Sequence, residues 1–287
     1  MGYTKNKTIE ILNRNGLKAN KRFGQNFLID DQILMGIVEA ADITENDIVI
    51  EIGPGLGNLT EYLLKQAKKV ISFEIDPNMI EVLKERFTTD KLDIVHNDIL
   101  KVNIDEYITE IVNNMDNFNG KVKVVANLPY YITTPIIFNL FEKATIVSDI
   151  TIMIQKEVAQ RIVATPGGKE YGVLSVMCEY YSESEIKIIV PPESFIPAPN
   201  VESAVITLVK KDKYKVDNTE KFNELIKAAF SQRRKKMSNS ISSNKNICTD
   251  KNKLIEIYNK LNIAENARAE EISIEKFIEL YEELKNK

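Results

Sequence analysis

The segment Glu51-Ile52-Gly53-Pro54-Gly55-Leu56-Gly57-Asn58 constrains the fold more than any other stretch of the 287 residues. It follows DIVIEIG (47–53), which reads as a buried strand, and precedes LTEYLLKQA (59–67), which has the period of an amphipathic helix. Glycines in such a turn let the backbone reverse sharply and let a ligand approach with no Cβ in the way. The alternation continues on both sides. ILMGIVEAA (33–41) is predicted as a helix, KVISFEID (69–76) as a strand, and Pro77 to Phe87 as a helix. Strands follow at LDIVHNDI (92–99), KVKVVANLP (121–129) and SDITIMIQ (148–155). Strands and helices alternating at this spacing predict an α/β fold, a parallel sheet with helices on both faces.

Beyond that sheet, KEVAQRIVA (156–164) and the stretch 172–181 are predicted helices. EIKIIV (185–190) and SAVITLVK (203–210), joined through PPESFIPAPN, are expected to form an antiparallel edge. After Lys211 the character changes. Phe222, Leu225, Ile226, Ala229 and Phe230 fall at i, i+3, i+4, i+7 and i+8, with Asn218 or Thr219 available as N-cap. LIEIYNKL and SIEKFIELYEEL also read as amphipathic helices. The expected division is therefore an α/β domain over 1–210 and a small helical domain over 211–287.

Composition removes several kinds of chemistry. No apolar run approaches the ~20 residues that cross a bilayer, so no membrane association is expected. The charged N-terminus has no apolar stretch of the secretory kind. Cys178 and Cys248 are too few for a disulfide framework and fit a reducing cytoplasm. His96 is the only histidine, so a His-based triad or zinc site is not expected, nor any other metal. Net charge is −4, but its distribution is uneven. Lys5, Lys7, Arg14, Lys18, Lys21 and Arg22 face only Glu10 within residues 1–25, and Arg233-Arg234-Lys235-Lys236 forms a second basic run. Such segments place a local positive surface on a mildly acidic protein, or are plain solvated faces.

The glycine segment is not a dinucleotide fingerprint, because Asn58 stands where G-x-G-x-x-G wants its third glycine. Its E-x-G-x-G-x-G form resembles the first motif of Rossmann-like methyltransferases, whose loop accommodates the amino-acid part of S-adenosylmethionine. Acids follow successive strands. Glu74, closing FEID, can accept both ribose hydroxyls. Asp98, in NDIL, can accept from an adenine amino group. Asp76 is expected to be structural, and His96 to take no catalytic part.

Asn127-Leu128-Pro129-Tyr130 ends the fourth strand. The exocyclic amine of adenine is a poor nucleophile because its lone pair is delocalised into the ring. The Asn127 side-chain oxygen, with a backbone carbonyl at Leu128 or Pro129, can hold both amine hydrogens and favour a tetrahedral nitrogen. Pro129 fixes the local backbone, and Tyr130 offers a ring on which an extruded base stacks. Catalysis then rests on positioning and electrostatics, with no covalent intermediate.

From about residue 18 to the C-terminus, KRFGQNFLID, EIGPGLGNLT, FEID, NDIL, ANLPYYITTPIIF, MIQKEVAQRI, KEYGVLSV, FIPAPNVESAVI and FSQRRKKMSNSI occur in order. In this the chain resembles the KsgA-type (RsmA) ribosomal RNA adenine N6-dimethyltransferases. The resemblance implies a Rossmann-like class I methyltransferase sheet with a small helical C-terminal domain. It implies S-adenosylmethionine as methyl donor, held by Asn26, Leu28, Gly53, Gly55, Glu74, Asp98 and Asn127. Leu128, Pro129 and Tyr130 would complete the catalytic set with Asn127. The implied substrate is two adjacent adenosines near the 3′ end of 16S ribosomal RNA in the 30S subunit, each dimethylated. Lys21, Arg22, Arg233, Arg234, Lys235 and Lys236 would lie against RNA phosphates. A monomer is expected, with no DNA partner. Many relatives read N-L-P-Y-N-I-S-T-P, whereas Tyr131 and Thr133 stand here. Other readings are an Erm-type 23S ribosomal RNA dimethyltransferase, a DNA adenine methyltransferase, or a non-catalytic ribosome-assembly or transcription factor on the same fold. KEYGVLSV and FIPAPNVESAV favour the KsgA-type side over the Erm type.

Overall fold

A computed structural model describes residues 2–20, 23–232, 235–244, 247 and 250–285. Two compact units emerge: Met1–Ala159 with Glu185–Lys210, and Gln160–Ser184 with Lys211–Lys287. In chain order the first unit carries α1 (Tyr3–Arg14), β1 (Phe27–Leu28), α2 (Asp31–Ala40), β2 (Ile48–Ile52), α3 (Asn58–Gln66), β3 (Lys69–Glu74) and α4 (Pro77–Arg86). It continues with β4 (Leu92–His96), α5 (Ile104–Asn113), β5 (Val122–Asn127), α6 (Thr133–Lys143), β6 (Val147–Gln155) and the start of α7 (Lys156–Ile162). The chain returns to it for most of β7 (Ser182–Val190), then β8 (Phe195–Ile196) and β9 (Ser203–Lys210).

The sheet runs β4-β3-β2-β5-β6-β9-β7. From β4 to β6 all neighbours are parallel, and β9 pairs antiparallel with β6. β7 and β9 are neighbours at one end, as the proline-rich connection suggests. Every residue of β2 is buried, as a strand covered on both faces must be. One face presents Val49, Val70, Val125, Met153 and Val205 to Leu34 and Ile37 of α2 and Leu59 and Leu63 of α3. At fully buried positions each such side chain contributes roughly 1.5–3 kcal/mol of burial energy. Among the described residues no helix is long and apolar enough to cross a membrane.

The second unit holds α8 (Val173–Tyr181), α9 (Thr219–Ala229), α10 (Met237–Ser242), α11 (Lys251–Lys260) and α12 (Ile274–Lys285). Asn218 caps α9, its side chain accepting from the Lys221 N–H at 2.9 Å. The core joins Phe222, Leu225 and Ile226 of α9 to Leu254, Ile257 and Tyr258 of α11 and to Phe277 and Leu280 of α12. Tyr171, Val176 and Tyr180 belong to the same cluster, and the Tyr171 hydroxyl donates to the Ile272 carbonyl at 3.1 Å. Lys211 is thus one of three places where the chain passes between units, and Gln160–Ser184 packs with the C-terminal helices.

Candidate active site

Strands β2, β3, β4 and β5 are parallel, so the turns that follow them share one rim. The sheet order reverses there, since β3 and β5 flank β2 on opposite sides. In open parallel sheets such a reversal leaves a crevice beyond the carboxyl ends of the strands, where ligands bind. A cleft of about 1090 Å³, including its open mouth, occupies this place. Asn26, Leu28, Gly53, Gly55, Glu74, Asp98, Asn127, Leu128, Pro129 and Tyr130 all line it.

The glycine loop forms the floor. Gly53, Gly55 and Gly57 have φ of 67°, 55° and 80°, a region that residues with a Cβ rarely enter. A Cβ on Gly57 would also stand 2.5 Å from the Phe87 ring and 2.8 Å from Leu83, so glycine there lets α4 close against the start of α3.

Asn58, the departure from the dinucleotide pattern, is a buried junction. Its Nδ2 donates to the Thr8 hydroxyl and to the Leu28 carbonyl, both at 2.8 Å. Its Oδ1 accepts from Arg86 at 3.0 Å. Asn58 therefore ties α1 and α4 to the QNFL wall of the cleft, which a glycine could not do. Ile11, Leu12, Leu17 and Ala19 pack over Phe27, Leu56, Met79 and Val82 beside it. Lys7 of α1 is paired with Glu61 at 2.8 Å and Arg14 lies 3.7 Å from Glu85, so these two N-terminal cations are partnered within the protein.

The acids divide by role. Glu74 Oε2 accepts from the Gly55 N–H at 3.1 Å, and Oε1 from the Ile75 and Asp76 N–H groups at 2.8 and 2.9 Å. Burial nonetheless pushes its carboxyl above the ordinary range, because desolvation outweighs those bonds. Asp76 caps α4 through the Asn78 N–H and accepts from Gln25 Nε2 at 2.8 Å, a structural role. Asp98 Oδ1 caps a single helical turn through the Leu100 N–H at 3.1 Å. His96 is exposed at the end of β4.

Glu51, the acid that opens the E-x-G-x-G-x-G segment, also lines the cleft, although it carries no role of its own in the sequence analysis. Its Oε2 accepts from the Thr60 and Ser72 hydroxyls at 2.7 and 2.8 Å. Its Oε1 is buried with no hydrogen-bond partner, and the side chain lines the cleft. Burial pushes this carboxyl up to about 7. A buried acceptor left unpaired costs about 1–3 kcal/mol, which a donor entering the cleft would recover.

At the end of β5, Asn127 Nδ2 donates to the Asn26 carbonyl at 3.2 Å, leaving the side-chain oxygen as the remaining acceptor. The Leu128 N–H continues the sheet to the Met153 carbonyl at 3.1 Å. The Pro129 carbonyl accepts from the Ile132 N–H at 3.2 Å and the Thr133 hydroxyl at 3.3 Å. Thr133 thus keeps the hydroxyl that the serine of relatives would supply. Tyr130 is half-buried, with its hydroxyl 2.6 Å from Ser203 Oγ. The basic residues are less fully placed. Lys235 and Lys236 are exposed in the second unit, while Lys21, Arg22, Arg233 and Arg234 lie outside the described residues.

The model of the ribosomal RNA adenine dimethylase family matches residues 16–286. The ribosomal RNA small subunit methyltransferase A of Lachnoclostridium phytofermentans is 44% identical over 95% of this chain and 94% of its own length. That of Clostridioides difficile is 45% identical over 95% and 93%. Among solved structures, a dimethyladenosine transferase from Plasmodium falciparum aligns with a TM-score of 0.75 and 28% identity, covering 90% of this chain and 96% of its own. The 23S rRNA methyltransferase ErmE aligns with a TM-score of 0.65 at 23% identity, covering 91% and 100%, a likeness of fold. A family match across nearly the whole chain, relatives above 40% identity and the Asn127–Tyr130 turn at the sheet's rim agree: this chain belongs to the ribosomal RNA adenine dimethylase family.

Proposed function

We propose that the protein transfers methyl groups from S-adenosylmethionine to N6 of two adjacent adenosines near the 3′ end of 16S ribosomal RNA in the 30S particle, and so contributes to small-subunit maturation. Four transfers complete one substrate. The observation that carries the reading is the turn at Asn127–Tyr130, which sets an amide oxygen and an aromatic ring beside an acid-lined cleft. The curated relatives, both small-subunit methyltransferases by name, favour this over a large-subunit RNA substrate.

The donor set fits the cofactor. S-adenosylmethionine presents an ammonium, a ribose diol and an adenine amine, all donors, with a single carboxylate and no phosphate. The cleft offers carboxylates at Glu51, Glu74 and Asp98, which suit donors and would repel a pyrophosphate. The orphaned Glu51 Oε1 is suited to the ammonium, Glu74 to the diol and Asp98 to the adenine amine. When bound, the cofactor supplies an electrophilic sulfonium methyl. Asn127 then holds one hydrogen of the target amine through its side-chain oxygen, which the Asn26 carbonyl orients by taking Nδ2. The Pro129 carbonyl is already engaged twice, so the Leu128 carbonyl is the better second acceptor. Tyr130 stacks on the extruded adenine.

Action in the cytoplasm, as a monomer on RNA and not DNA, completes the proposal. A non-catalytic assembly factor would have no use for this set of acceptors. Purified protein should methylate 30S particles that lack the modification and leave 23S RNA untouched. Transfer to 23S RNA alone would favour the Erm-type reading, and transfer to neither would favour the assembly factor.

The basic run is a second part of the proposal. Replacing Arg233, Arg234, Lys235 and Lys236 with alanine should weaken 30S binding and flatten its salt dependence, by up to ~0.9 in log–log slope for each phosphate no longer neutralised. Cofactor affinity should not move. An unchanged slope in filter binding across salt concentrations would mark the run as a solvated face.

A further inference from the structure

We propose that Tyr131 is a second base-stacking platform at the mouth of the cleft, holding the nucleobase next to the adenine under methylation. The proposal rests on the functional reading above, and extends it to a neighbouring nucleotide. Tyr131 is 59% exposed, yet it lines the same cleft as Tyr130. The two consecutive rings are set differently. Tyr130 is half-buried and tethered through its hydroxyl to Ser203 on β9. Tyr131 sits at the rim beside Gly24, whose φ of 61° is the left-handed conformation that favours glycine. A Cβ at Gly24 would lie 3.4 Å from two Tyr131 ring atoms and 3.6 Å from Pro129, so the ring rests close to the backbone of the QNFL wall. Its exposed surface remains open to a flat ligand.

The ligand chemistry follows from the substrate. Two adjacent adenosines are methylated, and only one can enter the pocket at a time, so its neighbour must lie just outside. An aromatic ring there offers a π-face to any base, and stacking of this kind is insensitive to sequence. Tyr131 therefore binds single-stranded RNA beside the flipped base and helps hold the dinucleotide in register between successive transfers. The ring carries this role and the hydroxyl does not, since Tyr131 needs only a π-face.

The chain has no tryptophan, so Tyr131→Trp introduces a single indole at the site. Its fluorescence should be quenched on adding an oligoribonucleotide with two adjacent adenosines, and not when the residues flanking a single adenosine are abasic. With unmodified 30S particles, Tyr131→Asn should raise the RNA KM about tenfold, as expected when one base is no longer stacked, while cofactor affinity is unchanged. Tyr131→Phe should keep the wild-type KM. Methyl transfer by the wild type with an unquenched indole, or with an unchanged KM in Tyr131→Asn, overturns this proposal alone. A wild type that methylates no RNA overturns the functional reading and this proposal with it.

Discussion

Replacing Asn127 with alanine should lower the rate of methyl transfer to unmodified 30S particles by about 10²–10³ while leaving particle binding nearly intact, the usual cost of removing one preorganised polar group at a reacting centre. The amine of adenine becomes nucleophilic only as its nitrogen pyramidalises, so an acceptor fixed for that geometry acts mainly in the transition state. The structure supplies the fixing. Asn127 Nδ2 is held by the Asn26 carbonyl at 3.2 Å, so the oxygen need not be reoriented at the moment of reaction. Asn127→Asp tests this directly. A carboxylate has no donor for the Asn26 carbonyl, and should be slow even though it retains acceptor oxygens. Single-turnover kinetics, with 30S binding measured separately, gives the answer. Near-normal transfer by Asn127→Ala would remove this residue from the chemistry.

The residues that line the cleft are legible in the sequence because their elements are strongly patterned. Strands β2, β3 and β5 are mostly apolar and buried along nearly their whole length, interrupted only by single polar residues such as Glu51, Ser72 and Lys123, and parallel pairing brings the ends of such strands to one rim. What is not legible rests on polar or non-local contacts. Helix α1 buries Thr4 and Thr8, both hydrogen-bonded, so no apolar period announces it. Strands β1 and β8 are two residues each and pair across more than 160 positions of sequence. The Tyr130–Ser203 bond spans 73 residues, and nothing local in NLPY points to it. Asn58 shows in the sequence only as a missing glycine; its value as a junction depends on where Thr8, Leu28 and Arg86 arrive. The stretch 160–184 lies among the strand-forming segments in sequence, but Tyr171, Val176 and Tyr180 find their apolar partners in the C-terminal helices.

Glu74→Ala should weaken S-adenosylmethionine binding by roughly 1.5–3 kcal/mol, the scale of hydrogen bonds to a charged group. That substitution alone is ambiguous, because the carboxylate also accepts from the N–H groups of Gly55, Ile75 and Asp76. Alanine would strip the acceptor from all three and loosen the glycine loop, so thermal stability should fall with affinity. Glu74→Gln separates the two effects. It keeps one acceptor oxygen, enough for the Ile75 and Asp76 N–H groups though not for Gly55 as well. It loses the charge proposed to favour two ribose hydroxyls, so stability should fall less than in Glu74→Ala while affinity still drops. The pH dependence follows from burial. Because the Glu74 carboxyl titrates above its ordinary range, the ionised acceptor is lost as pH falls through that raised value. The Glu74 part of wild-type affinity should therefore decline on acidification before an exposed glutamate would protonate, and that part should be absent in Glu74→Gln. Calorimetric titration of both variants, each checked by thermal unfolding, measures these effects. A folded Glu74→Ala protein that binds the cofactor with wild-type affinity would place the ribose elsewhere in the cleft.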